Sequence, residues 1–258
     1  MDWSSKAALT ATTVALILAM AQLIGRRAAG LMAGLPTVTG PALIWLALER
    51  GADYAIDAAT GSIAACALCA LFAFTYERVS RRRGVPCALT FATTASLLIA
   101  LPLQWLASGV LPTLLIAGTA SLAVWAAMPD GTEAAGQTSR LRGELALTAL
   151  ISGGISGVVA VSAPVVGPFW AGVMASPPLI AAIVAMREHT CVGHVSVRRF
   201  LRGYVAGLMG RAVFGAGFAL LLAPIGLTGA ALLAIAAGCA FTLGAMRMLA
   251  SRLERVEA

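Results

Sequence analysis

About nine apolar runs, each about 20 residues long, follow one another along the chain and are separated by short polar segments. A run of this length crosses about 30 Å of hydrocarbon as an α-helix. Strands of a membrane barrel would alternate apolar and polar positions, and no segment does so. Only 11% of the residues are charged, whereas soluble domains carry about 25%. We therefore predict an all-α polytopic membrane protein with about nine transmembrane helices, at residues 7–25, 29–48, 54–76, 86–106, 109–127, 144–163, 168–186, 199–222 and 226–248.

Basic residues are distributed unevenly over the loops between these runs. If successive loops alternate between the two sides of the membrane, one side holds only Lys6 and Arg50. The other side holds Arg26, Arg27, Arg78, Arg81, Arg82, Arg83, Arg140, Arg142, Arg187, Arg198, Arg199, Arg202, Arg247, Arg252 and Arg255. Because Lys and Arg concentrate in cytoplasmic loops, we predict a bacterial-type inner (plasma) membrane protein with its N-terminus outside and its C-terminus in the cytoplasm. The same rule explains the net charge of +7, so no nucleic-acid partner is expected.

A short motif recurs at an offset of 142 residues. Residues 29–36, AGLMAGLP, and 171–178, AGVMASPP, are identical at five of eight positions. At the same offset, Gly61, Ala64, Ala70 and Phe72 match Gly203, Ala206, Ala212 and Phe214. The first four runs then pair with the last four, and the five crossings that separate the halves invert the second half. We predict inverted four-helix repeats at 1–107 and 144–258, with a linker helix and a cytoplasmic loop at 108–143.

Both copies of the motif carry residues that interrupt a helix. Proline lacks an N–H and disfavours helix at the preceding residue, and backbone groups freed inside a bilayer must be satisfied by protein or water. Such breaks therefore usually line a cavity. The candidate substrate-binding residues are Pro36, Thr37, Thr39 and Gly40 in the second run, and Ser176, Pro177 and Pro178 in the seventh. The alternative interpretation is a plain proline kink.

Inverted repeats that each contain a broken helix resemble the architecture of secondary transporters, in which half-helices meet near the membrane centre and present their ends to the substrate. The resemblance covers almost the whole chain, but it is architectural and involves no named family's signature residues. It implies transport by alternating access and implies no particular substrate.

Arg211 is the basic residue that lies inside a predicted span. It follows Arg202 by nine residues, about 13 Å along a helix. An arginine at this depth costs about 2.5–3.5 kcal/mol on insertion scales and usually faces a partner or a water-filled path. Its planar fork of donors suits a carboxylate or a phosphate. We therefore predict that Arg211 binds substrate, and the alternative is a structural ion pair.

Asp53 and Asp57 are four residues apart at the outer end of the third run, so they share one helix face. A carboxylate about one turn inside the membrane is suited to taking up and releasing a proton during transport. Both are candidate proton-coupling residues, Asp57 more than Asp53. The alternative is a solvated helix start.

Metal and enzyme chemistry have weaker signals. Cys66 and Cys69 form a C-x-x-C pair, and His189, Cys191 and His194 cluster in a loop, which are residue types that bind soft metals. No second pair lies in a membrane span, so we predict no metal site and no cofactor. The chain has no H-E-x-x-H, G-x-S-x-G or Walker A motif, and we expect that it is not an enzyme.

These patterns together predict a secondary transporter that moves a small organic anion by alternating access, coupled to protons. The lipid bilayer and the anion are the expected partners, and a homo-oligomer or a partner subunit is compatible with the same patterns. The alternatives are a non-transporting membrane scaffold or anchor subunit, a lipid flippase and a soft-metal transporter.

Overall fold

A computed structural model describes residues 39–128, 165–176 and 178–257, together with Ala8, Thr12, Leu31, Pro36 and Gly154. The predicted spans at 7–25 and 144–163 lie outside the described residues apart from these single positions. Seven helices are present in the described part, which contains no strand, so the all-α prediction is confirmed there. They are α1 (Thr39–Arg50), α2 (Ala52–Ser80), α3 (Val85–Leu106), α4 (Val110–Ala127), α5 (Pro168–Met174), α6 (Leu179–Cys191) and α7 (His194–Glu257).

Four helices of the described part are long and apolar enough to cross a membrane, namely α2, α3, α4 and α7. α7 is bent at Gly226, whose φ of 73° lies in the left-handed region. Its two arms, 194–225 and 227–257, are antiparallel, because a Cβ placed at Gly210 would touch Thr242 and one placed at Gly217 would touch Ala234. These helices support a membrane-embedded protein, whereas the count of nine spans stays a prediction.

α2 is the central helix of the described structure. It is buried along most of its length, while α3 and α4 are mostly exposed and display large apolar side chains such as Leu98, Trp105 and Leu115. Since apolar side chains carry no penalty where they meet lipid, this distribution places α3 and α4 on the outside of the bundle. α2 packs instead against the first arm of α7, through Phe72, Tyr76, Phe200 and Tyr204 among other residues.

α2 and the first arm of α7 run antiparallel. Glu77, near the end of α2, pairs with Arg198 near the start of α7, and further along Ile63 lies against Gly215. The basic segments after α2 and at the start of α7 therefore meet at one end of the molecule, which we call the basic end. The beginning of α2 lies at the other end, the cavity end.

Helix boundaries recur at the offset of 142 residues. Gly51 and Gly193 each separate a short helix from a long one, with φ of 88° and 106° that suit glycine because it lacks a Cβ. α2 begins at Ala52 and α7 at His194. At the far ends, Gly84 caps α3 and Gly226 begins the second arm of α7. The order short helix, long helix, long helix thus appears twice.

α5 packs on α2 with its backbone in direct contact. A Cβ added to Gly172 would collide with the carbonyl of Ala58, and one added to Gly61 would collide with the carbonyl of Phe169. Glycine is required at both positions because the two helices approach more closely than a side chain permits. This contact fixes the end of α5, and the chain break that follows it, against the middle of α2.

Candidate functional site

The helix of the seventh predicted span is interrupted between α5 and α6. α5 ends at Met174, α6 begins at Leu179 with Pro178 as its cap residue, and both Ala175 and Ser176 are buried. The interruption agrees with the prediction made from the prolines. α6 has 13 residues and α1 has 12, so each is shorter than the about 20 residues that a full crossing needs.

Three hydroxyl groups meet at this break. Ser176 Oγ donates to Ser62 Oγ of α2 at 3.2 Å and lies 2.9 Å from Thr39 Oγ1 at the start of α1. A hydroxyl has one proton to donate, so Thr39 is the donor of the second bond, and its Oγ1 also lies 3.4 Å from the carbonyl oxygen of Ala175. Residues from α1, α2 and the break therefore share one buried hydrogen-bonded chain.

The two cysteines of α2 close the same region from the other side. Cys69 Sγ donates to the backbone carbonyl of Ser176 at 3.3 Å, and Cys66 Sγ donates to the carbonyl of Ser62 at 3.5 Å. Both thiols are buried. The carbonyl that the helix break frees at Ser176 is therefore satisfied by a side chain of the neighbouring helix, as a buried backbone group requires.

Arg211 lies beside these thiols, on the first arm of α7. Its side chain is 5% exposed, its Nη2 donates to Tyr204 Oη at 3.3 Å, and it interacts electrostatically with Tyr204, Cys69 and Cys66. Within the described ranges no carboxylate contacts it, and its buried Nε has no hydrogen-bond partner there. The structural ion pair that the sequence left as an alternative is thus not formed with any described residue.

The predicted binding residues divide into three groups. Thr39, Ser176 and Arg211 surround the same buried region. Gly40 lies beside it, where an added Cβ would be 3.6 Å from Cζ of Phe214, and its N–H donates to the carbonyl of Pro36 at 2.8 Å. Pro178 caps α6 without a described contact to Arg211, and Thr37 and Pro177 lie outside the described residues.

The predicted proton-coupling residues lie elsewhere. Asp53 and Asp57 are both exposed near the start of α2, and Asp57 lines a cavity of about 450 Å³ at the cavity end. Asp57 precedes Cys66 by nine residues, which is about 13 Å along the helix. Asp57 and Arg211 are therefore parts of two separate sites.

Ser62, Cys69 and Tyr204 belong to the buried polar region, although sequence reasoning did not assign them to it. The repeat contains the signal that identifies them. At the offset of 142 residues Ser62 corresponds to Tyr204, and Cys69 corresponds to Arg211. The polar positions of one repeat therefore coincide with the polar positions of the other, on the two helices that cross at the centre.

The basic end contains a buried carboxylate that the sequence did not single out. Glu77 is 1% exposed and accepts two hydrogen bonds from Arg81, at 2.9 and 3.1 Å. Arg198 Nε donates to the same carboxylate at 2.8 Å from the neighbouring helix. Nearby, Ser196 donates to Glu188 of α6. Charge-assisted bonds thus tie α2, α6 and α7 together at this end.

Metal-binding chemistry has little support in the described part of the chain, where no three His, Cys, Asp or Glu residues are grouped to hold an ion. Comparison with protein-family models, with curated proteins and with solved structures finds no match to this chain.

Proposed function

We propose that the protein is a secondary transporter that moves a small organic anion by alternating access, with proton coupling. It would consist of about nine transmembrane helices in two inverted four-helix repeats, with the arginine-rich loops and the C-terminus on the cytoplasmic side of an inner membrane. The observation that carries the proposal is Arg211, a buried guanidinium at a broken helix, with no carboxylate partner among the described residues.

The charge of Arg211 is the first step of the argument. Burying an ion without a counter-ion costs several kcal/mol, and the described neighbours of Arg211 are a phenol and two thiols. An anion that enters this region supplies the missing charge and meets the free Nε donor. The guanidinium fork favours a carboxylate or a phosphate, which accept two parallel hydrogen bonds.

The broken helix is the second step. The hydroxyls of Thr39, Ser62 and Ser176 lie in one hydrogen-bonded chain, and such groups exchange partners readily because each is both donor and acceptor. In broken-helix transporters, backbone and side-chain groups at the break contact the substrate. The corresponding region here offers Arg211 for the charged group and the hydroxyls for a polar part of the same molecule.

The internal repeat supports alternating access. The matched boundaries at Gly51 and Gly193 and at Ala52 and His194 fit two copies of one unit. The antiparallel packing of α2 on the first arm of α7 is what a two-fold axis in the membrane plane produces. Two inverted copies of one unit are able to exchange conformations, which turns an inward-facing form into an outward-facing form.

The two ends of the molecule fit the same mechanism. The basic end is tied by Glu77, Arg81 and Arg198, whereas the cavity end has an open cavity lined by Asp57. A transporter needs one closed and one accessible end in each state. Asp57 faces the accessible end, where a carboxylate exchanges protons with water, and we assign it the coupling role.

A ligand screen tests the anion site. The purified protein is heated with carboxylates, phosphates, amino acids and soft metals, and the unfolding temperature is measured for the wild type, Arg211→Gln and the exposed control Arg82→Gln. We expect one class of anion to stabilise the wild type and the control, by about 2.7 kcal/mol at a hundred times Kd, and not Arg211→Gln. A scaffold protein would show no anion effect in any of them, and stabilisation of Arg211→Gln equal to wild type would contradict the proposal.

Thiol labelling locates the site independently of that screen. In a variant whose other cysteines are replaced by alanine, a maleimide reports access to Cys69, which touches the carbonyl of Ser176. The stabilising anion is expected to slow labelling of Cys69. In proteoliposomes, the same anion should accumulate when a proton gradient is imposed, and Asp57→Asn should abolish that response while Asp53→Asn keeps it.

A further inference from the structure

The cavity at the cavity end has its own chemistry, distinct from that of Arg211. It encloses about 450 Å³ between the start of α2, the end of α3 and the start of α5. This volume lies in the range of about 300–1,000 Å³ that small-molecule sites occupy. Its lining includes Asp57, Thr60, Gln104, Phe169 and Trp170, and the backbone of 107–109.

The charge of the cavity has one sign. Of the described residues that line it, Asp57 alone is charged, and the others contribute a hydroxyl, an amide or apolar groups. The potential inside is therefore negative, and a concave wall of low dielectric concentrates it. The cavity attracts a cation and repels the anion proposed to bind at Arg211.

The aromatic wall narrows the class of cation. Phe169 and Trp170 meet edge to face, with ring centroids 5.8 Å apart and planes at 90°. Trp170 Nε1 donates to Gln104 Oε1 at 2.8 Å, which holds the indole against α3. Fixed aromatic rings attract alkylammonium groups through the negative faces of their π systems, most strongly for tryptophan. A bare metal ion would prefer a shell of oxygen ligands to an aromatic wall.

We propose that this cavity binds a small organic cation with an alkylammonium or quaternary ammonium group, held between the Asp57 carboxylate and the Trp170 ring. The inference rests on the shape, charge and aromatic lining of the cavity, and it does not depend on anion transport. If the anion site also exists, the two ligands occupy positions about 13 Å apart along α2 and bind without competing.

Equilibrium binding with matched ligands tests the proposal on the purified full chain in a maltoside detergent. Choline is compared with 3,3-dimethylbutan-1-ol, which has the same shape and no charge. We expect choline to bind at least tenfold more tightly than the alcohol, because the alcohol forms no ion pair with Asp57 and has no cation–π attraction. Equal affinities, or no choline binding, would overturn the assignment.

Two substitutions and one control locate the binding. Asp57→Asn should weaken choline binding by about tenfold, and Trp170→Leu by about threefold, in line with a partly exposed cation–π contact. Asp53→Asn lies one turn away outside the cavity and should change nothing. If Asp53→Asn has the same effect as Asp57→Asn, the attraction is a general surface charge and the cavity site is excluded. Asp57→Asn is nearly isosteric, so its result stands even if Trp170→Leu does not fold.

A trimethylammonium group occurs in free choline and in phosphatidylcholine headgroups. Monomeric dihexanoylphosphatidylcholine, tested below its micelle concentration, separates these sources. Tighter binding of choline identifies a free cation, because the lipid phosphate is repelled by Asp57, and tighter binding of the lipid identifies a headgroup. Either result supports the ammonium site provided that Asp57→Asn weakens it, and affinity that is unchanged in Asp57→Asn overturns it.

Discussion

The two ends of the central helix pair, α2 and the first arm of α7, are built on one backbone plan and held by different forces. At the basic end, Glu77 is buried between Arg81 and Arg198. The offset of 142 residues places Ala219 at the position of Glu77, and Ile56 at the position of Arg198. Both of these belong to an apolar cluster. The same crossing is thus fastened by charge at one end and by apolar packing at the other.

This difference shows which properties the repeat shares and which it does not. The helix boundaries, the glycines between helices and the close crossing recur in both halves, because they depend on backbone geometry. The charged side chains do not recur, and the open cavity lies at the end that lacks them. Chemical function in this fold therefore resides in the positions where the two repeats differ.

Removing the charge of Glu77 should have the largest effect. Glu77→Gln leaves Arg81 and Arg198 beside a neutral amide in a buried position, and breaking a buried pair costs about 3 kcal/mol. The measurement is reversible unfolding in mixed detergent micelles, with Asp53→Asn as the exposed control that should change stability little. A loss as small as that of the control would mean that charge does not hold the basic end.

A methyl group at Gly172 tests what holds the cavity end. Its Cβ would collide with the carbonyl of Ala58, and overpacking of this kind costs about 2 kcal/mol. The matched control is Gly118→Ala on the exposed helix α4, where no atom lies within 4 Å of the added group. The control should gain up to about 1 kcal/mol from helix propensity. Similar unfolding free energies for the two variants would contradict the close backbone contact.

A transplanted ion pair sharpens the comparison. Ala219→Glu places an acid at the equivalent of Glu77, and Ile56→Arg places a base at the equivalent of Arg198. Each single change should destabilise, and the double variant should recover about 1 kcal/mol of coupling in a double-mutant cycle. A coupling near zero would show that the two crossings are not equivalent and would remove a main support of the inverted repeat.

Acid should produce the smallest effect, at the basic end. Burial, together with the nearby charge of His194, lowers the pKa of His189 from its ordinary value of 6.5, and its ring packs edge-on against Tyr76. A lowered pKa means that the unfolded chain binds the proton more tightly, so the contribution of His189 to stability is complete above pH 6.5 and declines as the pH falls below it. Unfolding midpoints measured from mildly acidic to neutral pH should show this decline in the wild type, and His189→Gln should reduce it.

The sequence predicts the helices of the described part closely. The spans at 54–76, 86–106 and 109–127 correspond to α2, α3 and α4, because length and apolarity define a membrane helix almost without regard to its neighbours. The break before Pro178 was equally predictable, since proline acts on the local backbone. These are the features that depend on short stretches of chain.

Features that depend on contacts between distant residues could not be predicted in the same way. Glu77 looks like one more charge in a basic segment, and its burial follows only from packing against Arg198, 121 residues further along. The central role of α2 and the outer position of α3 are equally hidden, because uniformly apolar helices show no face that distinguishes protein from lipid. The cavity required three separate segments to be assembled before Asp57 and Trp170 could be seen to share it.

The ion pair of Glu77 with Arg198 also opposes the dipoles of its own helices. Glu77 is near the C-terminus of α2, where the partial charge is negative, and Arg198 is near the N-terminus of α7, where it is positive. Each side chain is disfavoured by its own helix and favoured by the adjacent terminus of its antiparallel neighbour. Separation of the two helices at this end would remove both the ion pair and the compensating dipoles, so the pair stabilises the docked arrangement and neither helix alone.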